Sequence, residues 1–361
     1  MIAHAHAYLR GHWLRHTERK NLLMNLLGLL TAVEFFENVM FIFGAAHIMG
    51  GVDAAPEEFV HAQAAYAVGS LMAMVLQQRL ARRFGYRRYL ACAMLLFVLG
   101  LLGCARSANI SQMVVARLVQ GAGGGAFFTS SRVLVTLLFA PADRPRALKR
   151  FMLLIFGGSA LAPVCAAWLI ESWGWAWVFY GVLPAALLAG AGVLLLPDGA
   201  GRMARAQPLH MAAMPLAWFA LAVVCLQVAV SQARLDVLAH PARLVLVGAA
   251  GVLLLAGFLW WQWRHPEPLL HLRMLHNPVY LMGLGLYFVH YFLSNFSAYL
   301  FPIYAERGLG LPLAATGWLN SLAALASLCV AWTYIRFFAR RLVHKRPVML
   351  VGLSCMALCA W

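Results

Sequence analysis

The sequence predicts an all-α polytopic membrane protein, and three observations carry the prediction. Its 361 residues are 63% hydrophobic and 11% charged, whereas soluble domains carry about 25% charged residues. The apolar residues fall in blocks of roughly twenty or more rather than at amphipathic spacing, as spanning helices with lipid for solvent require. Basic residues gather in short clusters between those blocks, which is how a chain is oriented across a bilayer. The net charge of +16 is therefore read against the membrane surface and not against nucleic acid.

Taken in order, residues 1–21 form a polar arm with Arg10, Arg15, Arg19 and Lys20 and with His4, His6, His12 and His16. A solvated basic arm explains it more simply than a metal site. The apolar block that starts at Leu22 is too long for a signal-peptide core, and no small-residue cleavage site follows. Spans are expected at 22–48, 60–80, 88–106, 112–138, 148–170, 175–196, 212–232, 243–263, 278–304 and 314–337, about ten complete spanning helices with a partial one from 348. With the N-terminus in the cytoplasm, the inside segments 1–21, 79–88, 139–150, 197–211, 264–277 and 336–347 hold 22 of the 28 Lys and Arg residues. The outside loops hold Arg106, Arg234, Arg243 and Arg307. This asymmetry supports both the span count and the orientation. The last segment, Val348 to Trp361, offers about 21 Å of helix against a hydrocarbon core of about 30 Å, so a C-terminally truncated chain is expected. The expected domains are the arm 1–21, a six-helix bundle 22–196, an extra helix pair with flanking loops 197–277, and an incomplete C-terminal bundle 278–361.

The fourth span carries Arg117 and Arg132 with no acid beside them. A charge in hydrocarbon costs roughly 2.5–3.5 kcal/mol on insertion scales and marks a functional candidate. Fifteen residues at about 100° each bring the two arginines within roughly 60° around the helix. The first span offers Glu34 and Glu37, at i,i+3 and so on one face. One reading is a static ion pair with Arg117 or Arg132. The other is a proton site, since low dielectric favours the neutral carboxyl and lets it load and release a proton. By residue count Glu37 matches the depth of Arg117, and Glu34 that of Arg132.

The glycine run 121–125 lies inside a span with no strand before it, which excludes a phosphate loop. Gly121, Gly124 and Gly125 read as close helix packing, as do Gly157, Gly158 and the small residues around Pro163. In the ninth span Tyr287, His290, Tyr291 and Asn295 sit among aromatics and read either as a cavity for flat lipophilic compounds or as a helix facing lipid. His290 is also a candidate proton relay. The seven cysteines are scattered and read as free thiols. The short loops leave no place for a soluble catalytic site, so no enzyme, no cofactor and no metal centre are expected.

These features resemble the major facilitator superfamily, in particular its fourteen-helix drug:proton antiporters of the EmrB/QacA type, from about Leu27 to the end of the chain. Arg117-Leu118-Val119-Gln120-Gly121-Ala122-Gly123 is similar to the fourth-helix motif whose arginine is implicated in proton coupling. Gly158 to Pro163, before Trp173-Gly174-Trp175, resembles the antiporter motif of helix five. Glu37 stands where a first-helix aspartate is usual. The helix pair at 212–263 and the stretch Pro266 to Leu275 also fit that branch. Gln78-Arg79-Leu80-Ala81-Arg82-Arg83-Phe84-Gly85-Tyr86-Arg87-Arg88 is similar to the inner-gate motif, with Arg82 in place of an aspartate and Gln78 in place of a glycine. Ala162, Ala166 and Ala167 replace glycines of the antiporter motif.

The resemblance implies a secondary transporter of the inner (plasma) membrane: a proton-coupled exporter of hydrophobic or amphiphilic compounds. Glu37, Glu34 and Arg117 would couple the proton, and Tyr287, His290, Tyr291 and Asn295 would contact substrate. Arg79, Arg82, Gly85, Arg87, Arg88, Gly158 and Pro163 would gate. Its partners would be the bilayer, protons, a small-molecule substrate and a periplasmic adaptor protein. The alternative is a membrane scaffold or sensor that keeps the fold without transporting, which Arg82 and the short C-terminus favour.

Overall fold

Glycine and proline decide where the apolar blocks break. In a computed structural model the protein is described over residues 17–197, 200–201, 210–239, 241–265 and 272–334, with 352 and 354. The histidines of the arm, residues 266–271 of the proline-rich stretch, and 335–361 apart from 352 and 354 lie outside the described residues. The first block gives α1 (Thr17–Phe43) and the short α2 (Ala45–Gly51) instead of one helix. They part at Gly44, where a Cβ would press on Ile170 and on the Met40 carbonyl. Then follow α3 (Pro56–Phe84), α4 (Tyr86–Ala105), α5 (Ile110–Leu138) and α6 (Arg144–Trp173). The sixth block is likewise broken, into α7 (Trp177–Tyr180) and α8 (Leu183–Leu194), with Pro184 in the first turn of α8. The remaining helices are α9 (His210–Ala239), α10 (Pro241–Arg264), α11 (Pro278–Ile303) and α12 (Leu313–Thr333).

The helix ends follow local chemistry. Asn109 caps α5 by accepting from the Gln112 N–H at 3.0 Å, and the Arg144 guanidinium closes its other end on the carbonyls of Thr136 (2.8 Å) and Phe139 (3.2 Å). Asn277 caps α11 through the Val279 N–H at 3.0 Å, with Pro278 in the first turn. Such side chains satisfy the orphan backbone groups of helix ends.

Among the described residues eight helical segments are long and apolar enough to cross a membrane. Two expected spans are not among them. The apolar run of α9, Met214–Val230, is short. In α5 the polar and small residues are packed inside protein, where hydropathy is no guide. α5 lies against α3 and α4, α1 against α6, α9 against α10 and α3, and α12 against α6. The core between α1, α3, α4 and α5 is filled by Leu27, Phe41, Phe59, Phe97, Leu101 and Phe127. Outward-facing leucines such as Leu95, Leu99 and Leu187 stay exposed, as lipid-facing residues do. α11 has the least cover of the membrane-length helices and touches α1.

Glycines set how closely α5 approaches its neighbours. A Cβ at Gly121 would overlap the Tyr66 carbonyl of α3, and one at Gly123 the Ala93 carbonyl of α4. Both backbones come this near only because no side chain intervenes, the geometry small residues allow in membranes.

Candidate functional site

Close packing of α5 between α3 and α4 buries Arg117 completely, and neighbouring helices answer its charge. Arg117 and Glu37 are both 0% exposed. Arg117 Nη1 donates to both Glu37 oxygens, at 3.0 and 3.2 Å, and to Gln120 Oε1 at 2.9 Å. Nη2 donates to Gln63 Oε1 at 3.1 Å and to Asn38 Oδ1 at 3.4 Å. The guanidinium also lies over the rings of Phe41, at 3.8 Å, and Tyr66, at 4.4 Å. One cation thus has one carboxylate, three neutral amide oxygens and two aromatic faces. A buried charge left without its partner is strongly unfavourable, so Glu37 and Arg117 are held as a unit. The amides and rings contact the cation alongside the carboxylate.

Glu34, one turn away, does not join that pair. Its Oε1 accepts from the Tyr66 hydroxyl at 2.8 Å. Gly124 makes this possible: a Cβ there would lie 2.6 Å from the Tyr66 hydroxyl and 3.1 Å from Glu34 Cγ. Arg132, matched to Glu34 by depth, is exposed and lies over the Phe128 ring at 5.5 Å. The two arginines lie within roughly 60° of each other around the helix but stand about 22 Å apart along it, one inside the bundle and one on its surface. Near Arg132 the neighbouring hydroxyls pair locally, Thr31 with Ser131 at 3.2 Å.

The residues of the gate motif lie around the α3–α4 joint. Gly85 has φ +83°, which favours glycine, and its N–H closes α3 on Ala81 at 2.9 Å. Arg82 and Arg88 are exposed, while Arg79 and Arg87 are half-buried. Tyr86 anchors the joint by donating its N–H to the Ala200 carbonyl at 2.9 Å. Gly158 and Pro163 face different neighbours. Gly158 faces Ala32 of α1, and the Pro163 carbonyl receives Gly317 of α12. Beside it the Val164 N–H donates to Ser321 Oγ at 3.1 Å.

In α11, Tyr291 and Asn295 line an open cavity of about 380 Å³ with Phe288, Phe292 and Phe296. Tyr287 stacks on Tyr291 with centroids 5.9 Å apart, and His290 is exposed outside that lining. Asn295 donates to its own helix at the Tyr291 carbonyl, 2.8 Å away. Among the described residues no three His, Cys, Asp or Glu side chains cluster as a metal site would need.

The Major Facilitator Superfamily matches residues 27–361, nearly the whole chain. The chain belongs to the Major Facilitator Superfamily. This superfamily member is 26% identical over 277 residues to the uncharacterized MFS-type transporter YhcA of Bacillus subtilis, covering 76% of this chain and 50% of that protein. It is 27% identical over 291 residues to the putative multidrug resistance protein MdtD of Klebsiella pneumoniae, covering 78% of this chain and 60% of that one. It thus spans between half and two thirds of the length of these relatives. A crystal structure of the peptide transporter POT with sulfate superposes with a TM-score of 0.62 at 16% identity, over 89% of this chain and 70% of that one. At that identity the likeness shows the fold alone. The superfamily fold makes the protein a multi-pass membrane protein, and the proteins it resembles are transporters, not enzymes.

Three members of the superfamily protein's Arg117 cage went unread in the sequence: Phe41, Gln63 and Tyr66. A signal for two of them was present. Gln63, Ser70 and Gln77 repeat at seven residues, and Tyr66 lies three after Gln63. At that spacing the four lie on one face of α3.

Proposed function

We propose that this protein is a proton-coupled exporter (antiporter) of hydrophobic or amphiphilic compounds such as drugs. Its place is the inner (plasma) membrane, with the N-terminus cytoplasmic. The observation that carries the proposal is the fully buried Glu37–Arg117 pair inside a cage of amide oxygens and aromatic rings. Glu37 takes up a proton when its bond to Arg117 is released. Gln120, Asn38, Gln63 and the two rings keep Arg117 in place meanwhile, and Arg117 expels the proton when the pair re-forms. Glu34 is the second proton carrier.

In this reading residues 22–196 rock as one bundle against 278–361, the general motion of such transporters. The 197–277 pair attaches through α9 to α3, and residues 1–21 are a cytoplasmic arm. Tyr287, His290, Tyr291 and Asn295 contact the substrate, and an aromatic surface suits flat lipophilic molecules. Arg79, Arg82, Gly85, Arg87 and Arg88 gate the inner side, with Gly158 and Pro163 at helix contacts that shift. The multidrug resistance name of MdtD supports the substrate class, and a periplasmic adaptor protein would extend the export path.

The test is the protein in proton-loaded vesicles with ethidium as the probe compound. Glu37→Gln is expected to abolish proton-driven ethidium movement while ethidium binding survives. Unchanged movement in that variant sinks the role of Glu37. A second reading, a non-transporting scaffold or sensor, is favoured by Arg82, an exposed cation where the motif has an anion. It predicts that the unmodified protein moves nothing under any proton gradient.

A further inference from the structure

Glu34 and Glu37 lie one turn apart on α1, yet only Glu37 bonds to Arg117. Tyr66 of α3 stands between the two arrangements. Its hydroxyl donates to Glu34 at 2.8 Å, and its ring faces the Arg117 guanidinium at 4.4 Å. Among the described residues Tyr66 is the side chain that hydrogen-bonds to Glu34 and also faces Arg117. The tyrosine is 4% exposed, and its position is set by backbone: Gly121 abuts its carbonyl and Gly124 leaves space for its hydroxyl. The groups facing Glu34 are Tyr66 from α3, Arg117 from α5, Tyr291 from α11 and Glu37 on its own helix.

We infer that Tyr66 is a positioning residue that links the two carboxylates, so that the charge on Glu34 governs how firmly Arg117 holds Glu37. This rests on the proton-coupled reading above. A phenol that donates to a carboxylate gains electron density in its ring, because hydrogen bonds polarise one another in low dielectric. A more electron-rich face attracts a cation more strongly. With Glu34 ionised, the Tyr66 ring draws the guanidinium toward itself. With Glu34 protonated that pull weakens, and Arg117 settles further onto Glu37. One proton thereby biases the site of the next.

Tyr66→Phe tests this, since it keeps the ring over Arg117 and the packing on Gly121 and removes only the hydroxyl. The readout is the pH profile of ethidium-driven proton movement in vesicles, with thermal unfolding in detergent as a check on folding. The midpoint is expected to move by about one pH unit, as loss of a hydrogen bond to a charged group implies. In a Glu34→Gln background the same substitution is expected to move nothing further. A midpoint that stays within about 0.2 pH unit, or an equal shift with and without Glu34, overturns the inference. If Tyr66→Phe does not fold, Glu34→Gln alone carries the test: an unchanged midpoint there overturns the link. Loss of transport in Glu37→Gln alongside an unmoved Tyr66→Phe profile defeats this inference alone, whereas full transport in Glu37→Gln defeats the proton-coupled reading with it.

Discussion

Helices α5 and α11 both draw attention by residue type, and the fold treats them in opposite ways. α5 carries charge and is enclosed. Arg117 and Gln120 are 0% exposed, enclosed by side chains of α1, α3 and α4. α11 carries aromatics and is open: Tyr287, Phe288, Tyr291 and Phe292 are each more than half exposed. Glycines show the same contrast. A Cβ at Gly121 or Gly123 of α5 would strike backbone, but at Gly283 or Gly285 of α11 it would meet nothing within 4 Å. A polar group acquires a defined role only when its surroundings leave it few partners. The Arg117 cage meets that condition, while the α11 surface is free to accept whatever covers it.

Breaking the cage should therefore have the largest effect. Arg117→Gln leaves Glu37 buried without a cation and is expected to lower stability by about 3–5 kcal/mol, read as a fall in thermal unfolding midpoint in detergent. The double variant Arg117→Gln with Glu37→Gln should recover much of that loss, and a double variant no better than the single would show that the pair is not what holds these helices. Next comes Gly121→Val. Overpacking against the Tyr66 carbonyl is expected to cost about 1–3 kcal/mol, seen as reduced yield of monodisperse protein. On the open helix the same kind of change reverses sign: Gly283→Ala should be neutral or stabilise by up to about 1 kcal/mol through helix propensity, and a marked loss would mean that α11 is covered in the membrane. The smallest effect is expected at Arg132. Its surface place over Phe128 predicts that Arg132→Gln changes stability by less than about 0.5 kcal/mol, which the same melting assay would measure.

Parts of the site were legible from residue order alone. Counting residues inward from the loops puts Glu37 and Arg117 at one depth, and the two are 3.0 Å apart. The same counting brings Glu34 level with Arg132, but Glu34 bonds to Tyr66 instead. Depth is one coordinate, and a partner needs a shared azimuth and a free path as well. Gly124 shows the limit in another way. Its type announces close packing, yet what it admits is a side-chain pair from two other helices.

The sequence by itself determined that the chain lies in a membrane, where its apolar blocks run, and which few residues are too costly to be there without a reason. Those conclusions rest on transfer energies that accumulate along the chain, residue by residue. Only the tertiary structure decided who meets whom. It separated the two arginines of α5, gave Glu34 to Tyr66 instead of Arg132, and brought Phe41, Gln63 and Tyr66 around the cation. In lipid no hydrophobic force draws one helix to another, so partners are selected by close approach and polar satisfaction between helices. Those are properties of facing surfaces, which no single stretch of sequence contains.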